Sequence, residues 1–120
     1  MREDILHSIL RELNGSSADV EASAIVSTDG LVMASLLPGD IDEDRLGAMS
    51  AAMLSLGDRA ARELGRGELE QVLVRGRQGF ILLAHAGEDA VLTVLTKREA
   101  KLGLVFLDVK RAAAAIAKVL

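Results

Sequence analysis

Apolar residues along this chain recur at two different spacings, and the switches between them mark out its elements. Near the N-terminus Ile5, Leu6, Ile9, Leu10 and Leu13 return every three or four positions, which predicts an amphipathic helix over residues 2–14. Glu3 and Asp4 occupy its first turn. Asn14-Gly15 reads as its stop, because glycine accepts the left-handed conformation that closes a helix. The period then shortens. Residues 20–28 and 31–36 read as strands of β-branched and small side chains, and Asp29-Gly30 between them is a strong hairpin signal. Further strands are predicted at 68–75, 80–86 and 90–96. Their turns, Gly76-Arg77-Gln78-Gly79 and Gly87-Glu88-Asp89, are short enough for an antiparallel meander.

Residues 43–64 carry the most informative pattern. At helical period Leu46, Met49, Met53, Leu56, Ala60 and Leu64 share one side, with Leu54 and Ala61 at its margin, and this side is expected to lie on the sheet. The opposite side begins small and uncharged, with Gly47, Ala48, Ala51, Ala52 and Ser55, and turns charged only at Asp58, Arg59, Arg62 and Glu63. A helix covering its own sheet normally gives water a charged face. Small side chains there let a second surface approach closely, so burial against a twin subunit is the preferred reading over an alanine-rich helix chosen for propensity. A last helix is predicted from residue 100 to the end, with Leu102, Val105, Phe106, Val109, Ala112, Ala113, Ile116 and Leu120 as its buried stripe.

The resulting order is α-β-β-α-β-β-β-α. It predicts an α+β fold in α/β/α layers, a five-stranded antiparallel sheet with helices on both faces, in a single domain over residues 1–120. Glu70, Gln71 and Arg75 on the third strand either protect an edge or line a polar interface.

Composition narrows the functions open to such a fold. Half of the 120 residues are hydrophobic, enough for one core, but only two are Phe and none is Trp or Tyr. Sites for bases, sugars or flat ligands lean on aromatic rings, so such ligands are disfavoured. The net charge is −4 with no basic stripe, which argues against nucleic acid. Cysteine is absent, excluding disulfides, thiolate metal sites and a cysteine nucleophile. The start Met1-Arg2-Glu3-Asp4 carries acids where a signal peptide needs a basic segment, and no apolar run is long enough to span a bilayer, so a cytoplasmic domain is expected.

The search for chemistry finds no catalytic, cofactor or metal site. Asp40-x-Asp42-x-Asp44 has the look of a calcium loop, but Arg45 stands where a turn-making glycine is needed and Ala51 where the closing Glu belongs. Capping of the following helix, by Asp40, Asp42, Glu43 and Asp44, is the better account. His7 and His85 have no second ligand at metal-like spacing and read as ordinary surface or margin residues. Gly65, Gly67, Gly76, Gly79 and Gly87 build no phosphate-binding loop. Arg59 and Arg62 invite comparison with an arginine that completes a GTPase site in trans, yet solvated arginines at a helix C-terminus are far commoner. The turn Arg75-Gly76-Arg77 is likewise read as a solvated loop and not an anion site.

Three stretches together resemble the Roadblock/LC7 family, in its prokaryotic, MglB-like branch. They are the apolar strand Val20–Thr28 leading through Asp29-Gly30 into Leu31-Val32-Met33-Ala34, the long central helix with its Met and Ala content, and Ala100-Lys101-Leu102-Gly103-Leu104-Val105 running into Lys110-Arg111-Ala112-Ala113. The resemblance covers nearly the whole chain and implies a roadblock (profilin-like) sheet in spatial order 2-1-5-4-3, with the central helix on one face and the terminal helices on the other. It also implies a homodimer in which central helices and third strands meet across a two-fold axis, and a small Ras-like GTPase as partner. The implied interface falls on Ala48, Ala51, Ala52, Ser55 and Arg59 of the central helix and on Glu70, Val72 and Val74 of the third strand, with Arg62 at the rim. Family members of this kind modulate GTP hydrolysis or nucleotide exchange, or act as scaffolds and dynein light chains. They reorganise the GTPase's own site, so no catalytic residue carries over. A pure scaffold and a small-ligand sensor domain are the competing readings.

Overall fold

The computed structural model describes residues 1–120. Its elements are α1 (Arg2–Ser16), β1 (Val20–Ser27), β2 (Val32–Leu36), α2 (Glu43–Glu63), β3 (Val72–Gly76), β4 (Gly79–His85), β5 (Ala90–Thr96) and α3 (Leu102–Val119). The five strands form one sheet in the order β2-β1-β5-β4-β3, and every neighbouring pair is antiparallel. The predicted element order and sheet order are both found.

Strand alternation sends successive side chains to opposite faces and so divides the core in two. Ile25, Leu82, Ala84, Leu92 and Val94 point to the face covered by α1 and α3, where they meet Leu6, Leu10, Val105, Val109 and Ile116. Ala24, Val26, Leu83 and Val91 point the other way and meet Leu46 and Leu54 of α2. Two helices cover one face and a single helix the other. The α2 face is the thinner layer, and part of the sheet beneath it is left bare.

Element ends depart from expectation for local reasons. α1 runs past Asn14-Gly15 to Ser16, and Gly15 stays out of the left-handed region. Asn14 serves instead as an anchor, since its side-chain oxygen accepts the Ser23 hydroxyl at 2.8 Å. Ile5, expected in the α1 stripe, is 47% exposed. β3 begins at Val72 and not at residue 68, because Leu69 packs with Val72 into the α2 layer. Two side chains three positions apart cannot share a face of a regular strand, so the strand starts only after Leu69 has turned in. Leu120, expected in the α3 stripe, is exposed.

α3 has no acid in its first turn and no side-chain cap of its own. Asp19 in the α1–β1 loop supplies the cap: its carboxylate accepts the Lys101 backbone N–H at 2.8 Å and lies 3.2 Å from the Lys97 ammonium. The Lys101 N–H and then Lys97 favour the charged carboxylate and hold its pKa below the ordinary aspartate value.

Candidate interaction surface

The sequence of α2 determines how it sits on the sheet. Asp42 is its N-cap, accepting the Arg45 backbone N–H at 3.1 Å, which agrees with the capping role expected of the acidic run. The helix closes where the Leu64 N–H bonds to Ala60 and the Arg66 N–H to Ala61, with Gly65 at φ +69°. In between, the buried residues are Leu46, Gly47, Ser50 and Leu54. Gly47 lets the helix backbone lie against the Gly30 turn, where a Cβ would drive into the Gly30 carbonyl oxygen. Gly57 makes room instead for the side chains of Val72 and Leu69. Ser50 is buried, and its oxygen accepts the Thr93 hydroxyl at 2.8 Å.

This corrects the orientation expected from the apolar stripe. Leu46 does face the sheet, but Met49, Leu56 and Leu64 are 52, 66 and 70% exposed, Ala60 is exposed and Met53 is half-buried. The helix is rolled because its glycines and Ser50 permit a closer seat than the methionines would. A glycine inside a long helix lowers its stability, so its presence there points to a close approach by a neighbouring group. Gly47 and Gly57 were therefore the available signal for the true buried face.

The predicted interface residues of α2 fall on the side turned from the sheet. Ala48, Ala52, Ser55, Arg59 and Arg62 are exposed, and Ala51 is half-buried. Arg59 pairs with Glu63 one turn on, at 3.4 Å between exposed side chains, a contact of little energetic weight. Beside this small face lie Met49 and Leu56, so the outer surface of α2 is considerably more apolar than the sequence pattern indicated. An open groove of about 290 Å³ separates Met49 and Met53 from Ile81 and Leu95 of the sheet.

β3 is the edge beyond that groove. Val72 and Val74 pair with Leu83 and Ile81, face the α2 layer and are half-buried, whereas Glu70 is exposed and precedes the strand. The hairpin closes on the Gly76–Gly79 pair, and the Phe80 N–H bonds across to Thr96 on β5, not to β3. Antiparallel alternation then leaves the backbone groups of Leu73 and Arg75 pointing outward along the free edge. Leu73 is itself 43% exposed. An open edge continuous with an apolar helix flank is a surface suited to another protein chain.

Sequence reasoning also missed a polar tie at the far end of α2. The His85 ring lies with Nε2 at 3.0 and 3.2 Å from the two Asp58 carboxylate oxygens, linking β4 to the helix, and Arg62 and Glu68 line the same small hollow. His7 bonds only to the Glu3 carbonyl one turn back. No three His, Asp or Glu side chains converge as metal ligands, and no helix is long and apolar enough to cross a membrane.

Comparison with known proteins places the chain in a family. The model of the Roadblock/LC7 domain matches residues 8–96, and the chain belongs to that family. It is 41% identical over 109 residues to the uncharacterised protein MJ0310 of Methanocaldococcus jannaschii, covering 91% of this chain and 94% of that one. Among solved structures it is similar to the gliding protein MglB of Thermus thermophilus, with a TM-score of 0.88 at 23% identity, over 98% of this chain and 90% of that one. An MglB in a tetrameric arrangement superimposes with a TM-score of 0.89 at 24% identity, over 98% and 89% of the two chains. The fold is thus that of the MglB-like Roadblock/LC7 proteins, and profilin from Acanthamoeba castellanii shares it more distantly, at a TM-score of 0.69.

Proposed function

We propose that this protein is a homodimer that binds a small Ras-like GTPase and modulates its GTP hydrolysis or nucleotide state, acting in the cytoplasm and supplying no catalytic group of its own. The observation that carries this reading is the exposed apolar flank of α2, with Met49 and Leu56, running into the open edge of β3. A surface of that kind is costly to leave in water and is self-complementary about a two-fold axis if two β3 edges pair near Leu73. Family membership supports it, as does the oligomeric arrangement recorded for a structurally similar MglB. In the dimer the small residues Ala48, Ala51, Ala52 and Ser55 lie within the twin-subunit contact and the arginines Arg59 and Arg62 at its rim, with Glu70, Val72 and Val74 on its strand side. A regulator of this type acts by favouring one arrangement of the GTPase switch segments over another.

The test is kinetic. GTP hydrolysis and nucleotide release by a GTPase encoded near this gene are measured with and without the protein, and the expected result is a changed rate of one of them. No complex in either nucleotide state at micromolar concentrations overturns the proposal. Binding with unchanged kinetics favours the second reading, a dimeric scaffold that docks the same partner without altering turnover.

A further inference from the structure

We propose that the tip of the β3–β4 hairpin and the loop after β5 form a binding site for phosphate groups, on the sheet face opposite α2. Arg75, Gly76, Arg77, Gln78, Phe80 and Arg98 line one open hollow of about 580 Å³. The sequence offers only Arg75-Gly76-Arg77 on a turn, which by itself is a solvated loop. The fold adds a third arginine, Arg98, from the segment that follows β5, and no carboxylate lines the hollow.

Most lysines and arginines of the chain are unpaired, so what calls for a ligand is the convergence of three of them on one hollow that no carboxylate lines. The ion pairs Met1–Asp4, Arg59–Glu63 and Lys97–Asp19 include none of Arg75, Arg77 and Arg98, whose side chains are all exposed. Glu99, next to Arg98, is exposed and does not line the hollow. Three like charges around one hollow repel each other, and an anion between them relieves that cost.

The site is also held in shape. Gly79 packs directly on the Thr96 backbone, where no Cβ would fit, and the Phe80 N–H bonds to Thr96 Oγ1 at 3.3 Å. These contacts pin the hairpin tip to the segment that carries Arg98. The Arg75 guanidinium rests 5.9 Å from the centre of the Phe80 ring, which limits its freedom. Phe80 packs with the α1/α3 core, so Arg75, its cross-strand partner, lies on that face and away from the proposed dimer groove. Each guanidinium presents five N–H donors in a planar fork that matches phosphate oxygens. The ligand class is a phosphate monoester or diphosphate, carried either by a small soluble molecule or by a lipid headgroup.

The experiment uses the full chain, isotope-labelled, titrated at low ionic strength with pyrophosphate while the arginine Nε–H signals are followed. In parallel, phosphatidylcholine vesicles with and without phosphatidic acid are tested by co-sedimentation. The expected result is saturable binding that moves the signals of Arg75, Arg77 and Arg98. It weakens about tenfold for each arginine removed, hence about a hundredfold in Arg77→Gln/Arg98→Gln. The control Arg2→Gln/Arg66→Gln loses the same charge at exposed positions elsewhere and should bind as the wild type. Binding of pyrophosphate alone assigns a soluble ligand; binding of phosphatidic acid vesicles alone assigns a headgroup. Absence of both, equal loss in the control, or an equal response to citrate overturns the proposal.

Discussion

Thr93 on β5 donates its hydroxyl to Ser50 on α2 across 2.8 Å, and both side chains are at most 2% exposed. A polar residue in the middle of the buried face of α2 is thus satisfied by another polar residue aimed at it from the sheet. The pair fixes the roll of the helix, because turning Met49 or Met53 inward would bury the Ser50 hydroxyl without its partner or carry it out to water.

Ser50→Ala should lower stability by about 1–3 kcal/mol, since it leaves the Thr93 hydroxyl buried with no acceptor in that bond. Adding Thr93→Val removes the orphan and should recover most of the loss. Urea unfolding of the two single variants and the double variant gives the coupling directly. Additive losses would mean that the pair does not act as a unit.

Much of this fold was legible from the chain because strand alternation, the Asp29-Gly30 turn and the apolar stripes of α1 and α3 are local patterns that tertiary packing reinforced. The face of α2 was not. Its apolar stripe at Met49, Met53, Leu56 and Ala60 has a helical period, but a periodic pattern does not reveal whether the sheet or another surface takes the stripe. The decision lay with residues that a hydrophobicity pattern scores poorly: Gly47, Ser50 and Gly57, which are small and permit close contact. The Asp58–His85 and Asp19–Lys101 ties were hidden for a different reason. They join residues 27 and 82 positions apart, so no spacing rule reaches them.

Gly47 and Gly103 both sit in helices, and substitution by Ala should move stability in opposite directions. Alanine is worth up to about 1 kcal/mol over glycine in a helix by propensity alone. At Gly47 the new methyl meets the Gly30 carbonyl and forces α2 off the sheet, which should outweigh that gain and give a net loss of about 1–3 kcal/mol. At Gly103 a Cβ meets nothing within 4 Å, so only the gain remains, reduced by its place in the first turn. Thermal unfolding of the two variants checks the sign of each.

Asp19 makes a contribution that depends on pH in a defined sense. Its carboxyl is held below the ordinary aspartate value, first by the Lys101 N–H and then by Lys97. A depressed native pKa contributes stability that is fully present above the unfolded aspartate pKa and fades as pH falls through the lowered native one. Asp19→Asn should therefore be less stable than wild type at neutral pH, with the gap narrowing below the ordinary aspartate range and closing under stronger acid. Denaturant unfolding of both proteins across the acid range measures that gap. A constant gap would place the effect of Asp19 in packing and not in charge.

The proposed dimer makes the roll of α2 testable without a partner protein. Leu56 is 66% exposed in the single chain, so Leu56→Lys should change the stability of the isolated fold by no more than about 0.5 kcal/mol. In a dimer that buries the outer flank of α2, the same lysine is trapped in an apolar contact and should drive the protein to monomer. Ala52→Glu should do likewise, because it buries an unpaired charge. Leu73→Pro examines the strand side: Leu73 directs its N–H to the free edge, so proline there spares the β3–β4 ladder while removing a donor from edge-to-edge pairing. Light scattering coupled to gel filtration reads all three variants. Monomers from Leu56→Lys and Leu73→Pro together indicate one interface spanning helix flank and strand edge. Persistence of the dimer in both moves the interface to another face of the molecule.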